Sequence, residues 1–472
     1  MLLPFIGILS AMLLAMLDGM VVGTAMPRIV TELGGVDHLS WVVTAYLLTS
    51  TVATPVYGKL GDMYGHKRVF LSAVALFLAG SALCGAAADM GQLIAFRAVQ
   101  GLGAGGLIVG GISLIGLLVP PRQRGKYQGL SGGLMALTMI AGPLVGGVIT
   151  DSLSWRWAFY VNLPIGVVTL VVLAVAVRLP YERRPHRVDY LGTALVAAVA
   201  SALVLAASWG GQRYAWGSPQ ILGLFAVAAI GTALLVPVER RAAEPVLPPA
   251  MFANRELMLS AALAAVTGFG MFGAVNFLPM YQQVVQGASA TSSGLLLLPM
   301  MLGMLATSIV SGKMITRTGR YKAYPLAGTL LTGAGLAAFS LLDADTGQVY
   351  STAAMLVFGV GLGFVWQLPT LIGQNSVEAR EIGAATGLVR FAQAMGGSFG
   401  VAISGAILAA GLDGAAPGSR AYVPAFADAL SDVFLWSLPA AALGLVTAVL
   451  IKEVPLRDES PRPAPEDERV PA

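Results

Sequence analysis

Apolar windows of about 20 residues, each long enough to cross roughly 30 Å of hydrocarbon as a helix, recur along almost the whole of a 472-residue chain. Only 11% of the residues are charged and 56% are hydrophobic, against roughly 25% charged in ordinary soluble domains. A single soluble core cannot absorb that much apolar sequence, so the pattern predicts an all-α, polytopic membrane protein. Spans are expected near 3–26, 40–57, 69–88, 92–118, 127–149, 158–178, 189–208, 219–238, 257–285, 291–312, 323–342, 348–373, 383–410 and 431–451. The start, MLLPFIGILSAMLLAML, reads as the first of these and not as a secretion signal, because it has no basic n-region and Asp18 follows where an apolar h-region belongs. The missing basic leader is consistent with a trimmed N-terminus.

Charge gives the orientation. With the N-terminus inside, the cytoplasmic loops and tail hold 22 of the 28 Lys and Arg residues and the external loops hold four, Arg28, Arg156, Arg213 and Arg420. The positive-inside rule then places both termini in the cytoplasm, and the formal charge of +4 reports topology more than an acidic partner such as nucleic acid. One cysteine, Cys84, leaves no disulfide framework or thiolate cluster. The three histidines, His38, His66 and His186, fall in expected loops, so metal or histidine chemistry has little to work with.

Two cytoplasmic loops repeat: GKLGDMYGHKR at 58–68 and GKMITRTGRYK at 312–322. Each follows the second span of a six-span block. Residues 1–178 and 257–452 therefore form two related six-helix bundles, 179–256 adds two peripheral spans with basic linkers, and the Pro-rich, charged 453–472 is an expected disordered tail. Two parallel halves suit alternating access about a midplane site.

These residues carry a resemblance. LDGMVVGTAMP, WVVTAYLLTSTVATPVYGKLGDMYGHKRV, LIAFRAVQGLGAGG, AGPLVGG, SWRWAFYVNLPIG and LPMYQQVVQGASATSSGLLLLP, in this order over essentially the whole chain, resemble the major facilitator superfamily and, within it, the fourteen-span drug:proton antiporters. The resemblance implies a major-facilitator-type fold, no enzymatic activity and no cofactor beyond the proton gradient. It further implies small amphipathic substrates with protons and membrane lipids as partners, and a monomer.

Two intramembrane charges share a layer. Asp18 lies about nine residues before the outer end of span 1, roughly 13 Å deep, and Arg97 about six residues into span 4, roughly 9 Å deep. A mid-span carboxylate costs about 2.5–3.5 kcal/mol on insertion scales and should face the bundle interior, water or a partner. Asp18 and Arg97 could form a permanent ion pair tying two spans together; the resemblance instead places proton coupling at this acid.

In the 58–68 loop, Gly58 and Gly65 permit close approach and a turn. Asp62, Lys67 and Arg68 face the cytoplasm, where Asp62 can sit against the positive N-terminus of span 13 near Gly383 and act as a gate. Thr316 replaces the acid in the second copy. The resemblance links Gly129, Gly142, Pro143, Gly146 and Gly147 of span 5 with export, and Pro143 should kink that span. Polar and aromatic residues of core spans, namely Tyr46, Asn276, Gln282, Trp366, Gln367, Arg390 and Gln393, are candidates for a substrate cavity. Arg390 and Gln393, three apart, share a helix face. Met271, Met280, Met300, Met301 and Met304 offer adaptable apolar surface. GLGAGG at 101–106 satisfies G-x-G-x-x-G but follows no strand, so it does not read as a dinucleotide site, and no G-x-x-x-x-G-K-[ST] loop is present. A proton-driven multidrug exporter is the first reading. A dedicated exporter of one antibiotic or lipid, and a solute:proton symporter, stay open.

Overall fold

The computed structural model describes residues 2–35, 38–177, 179, 188–211, 213–412, 419, 421–454 and 456. His186, Arg420 and most of the expected tail lie outside these. Among the described residues there is no β-strand, only one isolated bridge between Gly210 and Tyr214. The helices are α1 (Leu2–Leu33), α2 (Leu39–Tyr64), α3 (His66–Gly85), α4 (Met90–Leu118), α5 (Pro121–Ser152), α6 (Trp157–Tyr160), α7 (Asn162–Ala176), α8 (Tyr190–Trp209), α9 (Pro219–Arg241) and α10 (Pro249–Ala253). They continue with α11 (Arg255–Val284), α12 (Ala290–Leu296), α13 (Leu298–Thr318), α14 (Ala323–Phe339), α15 (Gln348–Val365), α16 (Leu368–Asn375), α17 (Ile382–Gly411), α18 (Tyr422–Leu435) and α19 (Leu438–Leu450).

Eleven helical stretches are long and apolar enough to cross a membrane, and the protein is a multi-pass membrane protein. Three other expected spans, α2, α5 and the 17-residue α14, are helical but fall outside that set. His66, expected in a loop, is the first residue of α3 and is buried. At the start of the expected tail, Leu456 is buried and its N–H donates to Gly319 O at 3.2 Å.

Several crossings are built from two helices in line. α13, α16 and α19 each carry Pro in the first turn, where a missing N–H costs nothing because that position has no intrahelical partner. The break between α15 and α16 puts Trp366 and Gln367 at an interruption inside the bundle.

In the first half of the chain, α2 and α3 pack along α4, and α1 packs against α5 and α7. In the second half, α11 packs along α17, and α15 lies between α13 and α14. Two seams join the sets: α5 against α13, and α2 against α17. α8 and α9 pair with one another, and α8 also lies on both α2 and α17. Trp41 and Trp209 meet edge to face at 5.7 Å on that contact.

Candidate functional site

Asp18 faces the interior of the first bundle, 1% exposed, beside an equally buried Arg97. Arg97 Nη1 donates to Asp18 Oδ2 as an ion pair. Asp18 Oδ1 accepts from Gln100 Nε2 at 2.7 Å and from Asn162 Nδ2 at 3.0 Å. Behind these amides, Ser81 Oγ accepts from Gln100 at 3.2 Å and from Asn162 at 2.9 Å, and donates to Phe159 O at 2.9 Å. Three helices, α1, α4 and α7, thus meet on one carboxylate, and α3 holds their two amides from behind through Ser81. The approach of α3 depends on Gly80, where an added Cβ would lie 2.5 Å from Gln100 Cα. Tyr46, expected in a substrate cavity, lies beside this cluster: its ring centroid is 4.0 Å from Arg97 Cζ and its hydroxyl donates to Ala15 O at 3.1 Å. A buried pair is tolerable when its remaining lone pairs and protons are met, and both oxygens of Asp18 are met here.

Sequence reasoning found Asp18 and Arg97 and overlooked Gln100, Asn162 and Ser81. A usable signal existed: Arg97 and Gln100 are three apart and so share a face, and Arg97 Nη1 donates to Gln100 Oε1 at 2.8 Å.

At one end of the bundles the 58–68 loop meets α17. A Cβ added at Gly58 would run into Gly383 O, and one at Gly383 into Gly58 O, so the two helices cross backbone on backbone. Asp62 Oδ1 accepts from Gly383 N at 2.9 Å and Oδ2 from Ala384 N at 2.8 Å; these N–H groups have no intrahelical partner. His66 Nε2 lies 2.9 Å from Asp62 Oδ1. Gly65 ends α2 with φ 90°, a conformation that favours glycine. Lys67 Nζ donates to Ala174 O at 2.7 Å, and Arg68 is exposed.

The second copy of the loop is bridged with the opposite sign. Arg122 of α5 donates to Thr316 O at 3.0 Å and to Arg317 O at 2.7 Å, carbonyls in the last turn of α13, where the helix dipole is negative. Where the first copy has an acid on a helix N-terminus, this one has a cation on a helix C-terminus.

The glycines of α5 divide between two partners. At Gly129 an added Cβ would meet Ser308 O of α13; at Gly142 and Gly146 it would meet Met20 and Thr24 of α1; at Gly147 nothing lies within 4 Å. α5 runs as continuous helix through Pro143.

The remaining candidates separate into one group and two outliers. Arg390 Nη1 donates to Gln393 Oε1 at 2.6 Å, Arg390 Nη2 donates to Gln367 Oε1, and Gln393 Nε2 donates to Trp366 O at 3.4 Å. Arg390 Nε and Trp366 Nε1 are buried without a hydrogen-bond partner. Gln282, fully buried at the far end of α11, has neither amide atom paired. Asn276 is exposed and its Nδ2 donates to Phe272 O at 2.8 Å. Met271, Met300, Met301 and Met304 share one core cluster with Trp366 and with Met139 of α5, and Met20 and Met135 pack against it. Met280 is exposed.

The Major Facilitator Superfamily profile matches residues 8–401. The chain belongs to the Major Facilitator Superfamily. It is 40% identical over 402 residues to the multidrug transporter protein MdtP of Bacillus subtilis, covering 85% of this chain and 74% of that protein. It is 38% identical over 402 residues to multidrug resistance protein 3 of the same organism, covering 85% and 78%. An uncharacterized MFS-type transporter of Mycobacterium tuberculosis is 40% identical over 481 residues, covering 96% and 70%. Among solved structures, the human organic anion transporter MFSD10 superposes with a TM-score of 0.68 at 15% identity over 95% of this chain and 98% of that one. A superfamily proton:xylose symporter does so with a TM-score of 0.64 at 14% identity, covering 96% of each. At such identities these two establish the fold alone. The superfamily protein is a transporter and not an enzyme.

Proposed function

We propose that this superfamily member is a fourteen-span, proton-coupled exporter of amphipathic compounds across the cell membrane. Both termini are cytoplasmic, and two six-helix halves, 1–178 and 257–452, alternate access to a site between them. The names of its relatives in Bacillus subtilis support multidrug export. No cofactor is needed, since the proton gradient drives the cycle, and the chain works as a monomer.

The observation that carries the mechanism is the burial of Asp18 among donors drawn from α4 and α7. An ionised Asp18 ties α1 to both. Protonation removes the charge that pairs with Arg97, while Arg97 keeps Gln100 Oε1 and the Tyr46 ring as partners, so the tie loosens without stranding the cation. Proton arrival from outside and departure to the inside therefore change how α1 is held within its half. On the cytoplasmic side, the contacts of Asp62 with α17 and of Arg122 with α13 form the gate that must part. One proton moving down about 150 mV supplies roughly 3.5 kcal/mol, enough for a substrate gradient of a few hundredfold.

The test uses everted membrane vesicles with an established pH gradient. Addition of a substrate should dissipate the gradient with wild-type protein and leave it intact with Asp18→Asn. Substrate-driven proton release that survives in Asp18→Asn would remove the role given to this carboxyl group. Substrate entry in the direction of proton flow would identify a symporter. A susceptibility panel in a pump-deleted host separates broad export from a dedicated exporter, which would protect against one compound only.

A further inference from the structure

Two buried guanidinium groups lie in the membrane-spanning part of this chain, and they differ in one respect. Arg97 has a carboxylate. Arg390, 9% exposed, has none among the described residues: its two Nη groups donate to the neutral amide oxygens of Gln393 and Gln367. Amide oxygens orient a guanidinium but do not neutralise it, and a cation buried without a counter-charge is costly. Its Nε–H is left over, and so is the indole N–H of Trp366, itself 4% exposed. The two side chains belong to one network, because Gln393 bridges Arg390 to Trp366 O. Two unused buried donors, one of them charged, are what an anionic acceptor requires.

The position suits a ligand carried between the halves. Gln367, which holds Arg390, abuts α5 of the first half, where a Cβ added at Gly132 would lie 3.1 Å from Gln367 Cγ. One turn before Arg390, a Cβ added at Gly387 would lie 3.0 Å from Pro55 Cα of α2. Arg390 is therefore placed where both seams converge. Beside it, Phe272 and Trp366 form an aromatic pair with ring centroids 6.4 Å apart, and the methionine cluster around Trp366 draws side chains from both halves. Thioethers and aromatic faces accept apolar bodies of varied shape.

We propose that Arg390 and Trp366 bind the anionic head of an amphipathic monoanion, such as a carboxylate, whose apolar body lies against Phe272 and the methionines. This deepens the transporter reading by naming a substrate class, and it rests on that reading only in placing substrate between the halves. Arg97 cannot serve the same end while Asp18 holds it.

Three ligands with one apolar body isolate the head group: 1-pyrenebutyrate, its uncharged primary amide, and a pyrenebutyl trimethylammonium ion. Equilibrium binding to the full-length protein in nanodiscs, followed by energy transfer from tryptophan to pyrene, needs no proton gradient, so its outcome is independent of the Asp18 test. Wild type should bind pyrenebutyrate at least tenfold more tightly than the amide and bind the trimethylammonium ion most weakly. Arg390→Gln should bring carboxylate and amide to within about twofold of one another. Arg390→Lys, which keeps the charge, should retain part of the preference, and Trp366→Phe should weaken the carboxylate severalfold while sparing the amide. A wild type that does not discriminate, or that favours the cation, overturns the proposal even if no variant folds. So does an Arg390→Gln protein that weakens all three ligands equally, since that is the mark of a structural residue.

Discussion

Asp62 Oδ1 accepts a hydrogen bond from Gly383 N at 2.9 Å, joining residues far apart in the chain across the α2–α17 seam. The contact combines a hydrogen bond to a charged acceptor with a favourable helix dipole, together worth about 1–3 kcal/mol. Arg122 on the last turn of α13 uses the dipole's other pole at the second seam. The two seams are closed by opposite charges doing the same work.

The first prediction concerns that latch. Asp62→Asn loses the charge and one of its two acceptor oxygens, and should favour the state open at this end by about five- to thirtyfold. Spin labels at the exposed positions Arg68 and Arg380, on a Cys84→Ser background, should report a larger share of long distances. An unchanged distance distribution would show that Asp62 holds nothing shut.

A second prediction follows from the ion pair of Asp18 and Arg97. Arg97→Gln leaves a carboxylate in the bundle interior without its cation and should destabilise the protein by about 3–5 kcal/mol. Asp18→Asn combined with Arg97→Gln should recover most of the loss, because the remaining amides can satisfy one another. Thermal unfolding in detergent, read for both single variants and the double variant, gives the coupling. Additive losses would mean the pair is not coupled.

The third concerns the donors to that carboxylate. Asn162 and Gln100 donate to Asp18 Oδ1, and Asn162 also donates to Ser81 Oγ. Asn162→Ala leaves these buried acceptors one donor short and should destabilise the protein by about 1–3 kcal/mol. Thermal unfolding in detergent reads the loss, and unchanged stability would contradict the wiring of this cluster.

The fourth compares glycines of α5. Gly129→Val inserts a side chain into the backbone of α13 and should lower transport at least tenfold at equal expression. Gly147→Val meets open space and should keep most of it. Equal losses would show that helix propensity and not the seam governs these positions.

Hydropathy located every one of the expected helical stretches, because twenty apolar residues leave a strong mark in sequence. Helical rise alone put Asp18 and Arg97 at one depth, and charge made them conspicuous. Gln100, Asn162 and Ser81 carried no such mark: a neutral amide in a helix rich in glycine and alanine reads as an ordinary polar residue until a partner helix is seen. The stacking of Tyr46 on Arg97 was hidden for a related reason. An aromatic residue one helix away from an arginine stacks on it only if the two helices touch, and Gly101, where an added Cβ would lie 3.0 Å from Tyr46 Cα, is what lets them. The inverse capping by Arg122 was likewise hidden, since a basic loop looks the same whether its charges face water or a carbonyl.

α8 has a consequence for how the molecule meets the bilayer. Laid over α2 and α17, it turns one flank of the molecule into protein, whereas among the described residues no such helix lies along the α5–α13 flank. Acyl chains therefore border the two halves unequally, and a tilt that parts the helices on one side disturbs lipid while the same tilt on the other disturbs tryptophan against tryptophan. Were the two halves to rock as proposed, their axis would be loaded asymmetrically before any cargo arrived.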